Sequence, residues 1–195
     1  MSQIYTVKLI KALLAFAHKD EAFGHLCGLT FKGESAYATN GVSAVRYTDI
    51  SGSIESPEFV ETEVLLSACR AAGAGGLLEV KTGEIVASTK RMAFSKFPTK
   101  NDWPVFQDHE RIIPEKRLEL AWPMFDPNLL APMGPLCDAI NDHGGFVLTT
   151  MTGNLEALRF DMDSTGDDKV AATVVIMPKA RTRDRVKAYA AGVSK

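Results

Sequence analysis

The stretch YTVKLIKALLAFAHKDEAFGHLCGLTFKGESAYATNGVSAVRYT, residues 5–48, decides how the rest of the chain is read. Val7, Ile10, Leu14 and Ala17 recur at helical spacing. Lys8, Lys11 and His18 lie on the neighbouring face. After the helix, GLTFKG, ESAYATN and SAVRYT read as strands, parted at Gly33 and at Asn40-Gly41. Asn-Gly is a strong hairpin signal because both residues tolerate positive φ. The unit is therefore one helix followed by three short strands.

The same unit recurs twice. FVETEVLLSACRAAGAGG is predicted as a helix stopped at Gly73, and GLLEVKTGEIVASTKRMAFSKFP as three strands with a turn at Thr82-Gly83. Asp126-Pro127 opens a third helix, predicted to run to about Ile140 with Asp126 as N-cap; Pro132 and Pro135 make it irregular. GGFVLTTMTG, LEALRFDMD and KVAATVVIMP supply its strands. The short runs SIES and RLELAW are candidate leading strands for the second and third units. Repetition of this kind fixes architecture before any single motif does. The expected organisation is a domain over 1–115, made of half-repeats 1–52 and 53–115 and including a linker at 101–115. A third half-repeat spans 116–180, and a basic tail spans 181–195.

The chain has 195 residues, of which 46% are hydrophobic, enough for a real core. Its formal net charge is −2, so contact with nucleic acid would be local rather than global. The N-terminus MSQIYTVK lacks the apolar core of a signal peptide, and no apolar run is long enough to span a membrane. Cys27, Cys69 and Cys137 are odd in number and far apart, which reads as reduced thiols in a cytoplasmic protein. The tail carries Arg181, Arg183, Arg185, Lys187 and Lys195 against Asp184 and reads as a solvated end.

Candidate chemistry is sparse. Asp161-Met-Asp163-Ser-Thr165-Gly166-Asp167 resembles the start of a calcium loop, but Ala172 stands where the bidentate glutamate belongs, so a polar turn is expected. Gly73-Ala-Gly75-Gly76 follows a helix rather than a strand and reads as a helix stop, not a dinucleotide fingerprint. His18, His25, His109 and His143 have no ligand spacing, and no nucleophile motif is present. No metal, no cofactor and no enzymatic activity are expected, although an enzyme on an unrelated α+β fold is a third reading.

Three stretches in order resemble the sliding clamp of bacterial DNA replication, the β subunit of DNA polymerase III. They are residues 5–48, the linker DWPVFQDHERIIP, and VVIMP. The first is similar to half of that clamp's middle domain, with Thr39-Asn40-Gly41-Val42-Ser43-Ala44 in place of T-D-G-H-R-L. The second is similar to its inter-domain linker, and the third to its terminal V-V-M-P. The resemblance implies an α+β DNA-clamp fold of about three half-domain repeats, with helices lining a hole and sheets outside. It implies a DNA sliding clamp and polymerase processivity factor that encircles double-stranded DNA without reading sequence. It also implies a socket for short peptides of the polymerase and clamp loader. On matching positions that socket would comprise Thr39, Gly41, Val42, Ser43, Ala44, Pro104, Arg111, Ile112, Val175, Ile176, Met177 and Pro178. The DNA-facing residues would be Lys8, Lys11, Lys19 and Arg70.

The chain departs from that pattern in two ways. Val42-Ser43-Ala44 replaces His-Arg-Leu, which changes the socket's shape. Three units make one and a half clamp domains, so a twelve-unit ring calls for a homotetramer. The alternative is a monomeric clamp-like module that captures clamp-binding peptides and diverts host replication.

Overall fold

The computed structural model describes residues 2–48, 52–91, 93–99, 127–140, 146–150, 158–163 and 170–177. Strand β1 (Ser2–Thr6) runs directly into helix α1 (Val7–Leu14), where Thr6 Oγ1 accepts a hydrogen bond from the Leu9 amide at 3.1 Å. That bond satisfies one of the orphan amides at a helix start. A 3₁₀ segment (Glu21–Leu26) leads to β2 (Gly28–Gly33), β3 (Ser35–Thr39) and β4 (Ser43–Thr48). The second unit repeats this order: β5 (Ile54–Glu61), α2 (Thr62–Ala72), β6 (Leu77–Lys81), β7 (Glu84–Ser88) and β8 (Phe94–Pro98). A 3₁₀ turn (Pro127–Leu129), α3 (Met133–Ile140), β9 (Phe146–Thr150), β10 (Leu158–Asp163) and β11 (Val170–Ile176) form the third.

The described strands make two antiparallel sheets, ordered β1-β6-β7-β8 and β5-β2-β3-β4-β11-β10-β9. The leading strands are exchanged: β1 joins the second unit's sheet through β6, and β5 joins the first unit's sheet through β2. Gln3 fastens this exchange. It is fully buried, donates from Nε2 to the Gly33 carbonyl at 2.9 Å and accepts from Tyr5 Oη at 2.8 Å. A buried amide satisfied on both ends fixes one arrangement, because its loss would strand polar atoms in the core. The third unit extends the first unit's sheet through β4 and β11.

Helix α1 packs against both α2 and α3. Ile10, Leu13 and Phe16 from the first unit, Leu65, Leu78 and Ile85 from the second, and Leu136 and Met162 from the third are fully buried in one core. The sheet and core thus run across the boundary expected near residue 116.

Two helix expectations need correction. Residues 59–61 belong to β5, not to α2: Phe59, Val60 and Glu61 pair with Thr30, Leu29 and Gly28. Tertiary pairing overrides the apolar spacing that made them look helical. Pro57 is tolerated there because β5 is an edge strand and the pairing bulges beside it, Phe31 meeting Glu58 and Gly33 meeting Ile54. The third helix is two pieces, a 3₁₀ turn at 127–129 and α3 from Met133. Pro132 and Pro135 lack the amides that a continuous helix over 126–140 would need. Asp126 lies outside the described residues. The helix stop at Gly73 holds: its φ is 72° and its amide donates to the Cys69 carbonyl.

Candidate functional site: the seam between the first and third units

The site is built where β4 meets β11. Thr39 to Ser43 make the turn between β3 and β4, and Asn40 organises it. Asn40 Oδ1 accepts from the Val42 amide (3.0 Å), the Ser43 amide (2.8 Å) and Ser43 Oγ (3.2 Å). Thr39 Oγ1 donates to the Ser43 carbonyl at 2.9 Å and accepts from the Gly41 amide at 3.1 Å. Gly41 sits at φ 84°, a conformation other L-residues rarely adopt. These side-chain bonds add to the backbone bond from the Asn40 amide to the Ser43 carbonyl at 3.1 Å, and together they hold the turn rigid.

β11 arrives antiparallel to β4, with Val175 opposite Ala44 and Ile176 opposite Ser43. One further bond extends the seam past the strand end, from the Met177 amide to the Val42 carbonyl at 2.9 Å. The turn and the strand terminus, 135 residues apart in sequence (177 − 42), therefore share one edge.

The twelve expected socket residues divide by burial. Thr39, Ser43, Val175 and Ile176 are buried. Val42 is 46% exposed, Gly41 is exposed, and Ala44 and Met177 are half-buried, so these four reach the surface. Pro104, Arg111, Ile112 and Pro178 lie outside the described residues. Elsewhere among the described residues, two cavities stand out. The larger, about 680 Å³, lies between the end of α1 and the start of α2 and is lined by Lys11, His18, Lys19, Cys27, Glu63 and Leu66, among others. The smaller, about 420 Å³, lies between α2 and β8 around Val64, Phe97 and Pro98. Neither is signalled by any local motif, because each arises only when separate elements meet.

The expected DNA-facing cations are all exposed, but they are not equivalent. Lys8 Nζ donates to the Asp138 carbonyl, which ties α1 to α3. Arg70 Nε turns back to the Leu66 carbonyl at 3.3 Å. Lys11 and Lys19 line the larger cavity.

Asp161 is engaged within the sheet. It is buried within β10, and its Oδ1 accepts from Arg159 Nε and Thr173 Oγ1, both at 2.7 Å. No group of three or more metal-ligating side chains occurs among the described residues. Burial pushes the Cys69 and Cys137 thiols above their ordinary range, which disfavours the thiolate at both. No helix among the described residues is long and apolar enough to cross a membrane.

No protein-family model matches the chain, and no curated protein does. Solved structures do. The DNA polymerase sliding clamp of Bacillus subtilis superposes with a TM-score of 0.60 at 12% identity, over 93% of this chain and 65% of that one. The clamp of Pseudomonas aeruginosa bound to griselimycin gives 0.58 at 12% identity, over 93% and 66%. The DNA polymerase III β subunit of Borrelia burgdorferi, in complex with a natural product, gives 0.53 at 12% identity, over 93% and 65%. The chain spans about two thirds of the length of the clamps it matches. The exchanged leading strands, the paired helices and the continuous sheet of this chain are the fold of the DNA polymerase III β sliding clamp.

Proposed function

We propose that the protein is a sliding clamp: a non-catalytic processivity factor that encircles double-stranded DNA as a homotetrameric ring and holds replication proteins by short peptides. In this reading residues 1–115 form one clamp domain, 116–180 contribute a third half-repeat, and the protein works in the cytoplasm. The observation that carries the proposal is the seam. The Thr39–Ala44 turn and the Val175–Met177 strand end, expected from the resemblance to form one socket, meet through the Met177–Val42 bond and the Ser43–Ile176 pairing. Val42, Ala44 and Met177 then offer an apolar strip beside a rigid turn, on which an extended peptide buries its anchors. Methionine suits such a wall because its flexible thioether adapts to varied partners.

The test is titration of a labelled peptide carrying a polymerase's clamp-binding segment, against wild type and Met177→Asp. A carboxylate on the strip must be desolvated when the peptide lands, so the variant should bind at least tenfold more weakly, a loss of about 1.4 kcal/mol or more. Equal binding by the variant removes the socket assignment.

One observation favours the monomeric peptide-capturing module instead. The three described helices carry Lys8, Lys11 and Arg70 against Glu63 and Asp138, and Lys8 is engaged at the α1–α3 contact. A surface this close to neutral attracts phosphates weakly. Peptide binding without DNA association would select that reading.

A further inference from the structure

The units of this chain meet by a rule. Between the first two, each leading strand adds to the first strand of the other sheet, β1 on β6 and β5 on β2. Between the first and third, last strand meets last strand, β4 on β11, antiparallel. Like sides always meet. An antiparallel pair of equivalent strands has a local two-fold axis, since rotation about it exchanges the two.

Two sides remain open among the described residues. β8, the last strand of the second unit, pairs only with β7. β9, the first strand of the third unit, pairs only with β10. Head-to-tail assembly would set β8 against β9, last against first, a contact with no counterpart inside the chain. β8 occupies in its unit the place that β4 occupies in the first, and β4 receives another last strand. We infer that β8 pairs antiparallel with β8 of a second copy of this chain across a two-fold axis.

The strand is suited to that partner. Phe94 is 68% exposed, more than any other large apolar side chain described, and pairing would cover it. Lys96 Nζ lies 3.2 Å from Glu84, so the cations of two copies would meet already paired. Pro98 lacks an amide hydrogen and limits the new ladder to the residues before it. With the helices of both copies on one side of the joined sheet, the axis stands normal to it, and a residue at mid-strand meets its own twin.

The symmetry also counts correctly. A two-fold at β8 and a second at the open side of the third unit lie three units apart, a quarter of a twelve-unit ring. Four chains then close with every contact like to like. The inference rests on the ring reading for the assembly itself, and one experiment separates the two.

Single cysteines are placed at Ser95→Cys and Lys96→Cys in the full chain carrying Cys27→Ser, and oxidised mildly. Directly opposed strand residues lie about 4.5–5.5 Å apart at Cα, within disulfide range. A covalent dimer from one of the two positions is expected. Light scattering on Phe94→Asp should show half the wild-type mass, because the second interface survives. Neither cysteine forming a dimer in a chain that assembles to 4 × 21.2 = 84.8 kDa overturns the inference and leaves the ring. Dissociation of Phe94→Asp to 21.2 kDa, as one repeated head-to-tail contact requires, also overturns it. A wild type of 21.2 kDa at every concentration overturns both.

Discussion

Asn40→Ala tests whether the turn at the seam is held by the side chain that the structure places at its centre. Asn40 Oδ1 accepts three hydrogen bonds, from the Val42 amide, the Ser43 amide and Ser43 Oγ. Removing the carbonyl leaves three donors to find other partners. Val42 is exposed, so water replaces its bond at little cost. Ser43 is 3% exposed, and its amide and hydroxyl are reached less readily. A net of about 0.5–1.5 kcal/mol for each of those two bonds gives a loss of about 1–3 kcal/mol. The assay is urea unfolding, with the loss read from the midpoint at constant slope. Asn40→Asp keeps the acceptor and should retain most of the stability. Because Val42 and the Met177 contact ride on the same turn, Asn40→Ala should also weaken peptide binding below the midpoint of unfolding. A loss under about 0.5 kcal/mol for Asn40→Ala, the level of an ordinary surface change, would refute the assignment of the turn to this side chain.

Further expectations follow from other parts of the molecule. Gly73→Ala should destabilise by about 1–3 kcal/mol, measured by urea or heat. Nothing crowds a Cβ there, but φ 72° with ψ 177° is a conformation nearly confined to glycine. Thr173→Val should cost about 1–3 kcal/mol in the same measurement, since it takes a buried donor from the Asp161 carboxylate and leaves that oxygen short of a partner. Alkylation at pH 8 should reach half-buried Cys27 well before Cys69 and Cys137, where burial disfavours the thiolate; equal rates in the native protein would contradict their placement. On the clamp reading, Lys8→Glu with Lys11→Glu should reduce DNA association and flatten its salt dependence, read by anisotropy at several salt concentrations; unchanged association would mean that this face does not meet DNA.

Legibility in the sequence followed how local each feature is. GLTFKG and SAVRYT appear as β2 and β4 with the expected ends, because branched residues and flanking turns mark a strand within a few positions. Asn40-Gly41 marked its hairpin for the same reason. Phe59 to Glu61 look helical in sequence because their strand character comes from Gly28 to Thr30, a partner about thirty residues away. β1 was missed because its partner is β6, more than seventy residues on. The seam itself was legible only through resemblance: nothing in Val42 or Met177 alone says that one amide finds the other carbonyl. Burial then divided the expected socket residues in a way spacing did not: Val42, Ala44 and Met177 reach the surface, whereas Val175 and Ile176 are buried. The near-neutral net charge is plain in the sequence, whereas the engagement of Lys8 with Asp138 requires α1 and α3 to be neighbours.

Absolute mass in solution, measured by light scattering over a range of concentrations, tests the clamp reading most directly. Four chains of 21.2 kDa give 84.8 kDa, and a concentration-independent value near that figure is the result this reading requires. A species that stays at 21.2 kDa across the range would contradict the ring and leave only the seam as a place for function.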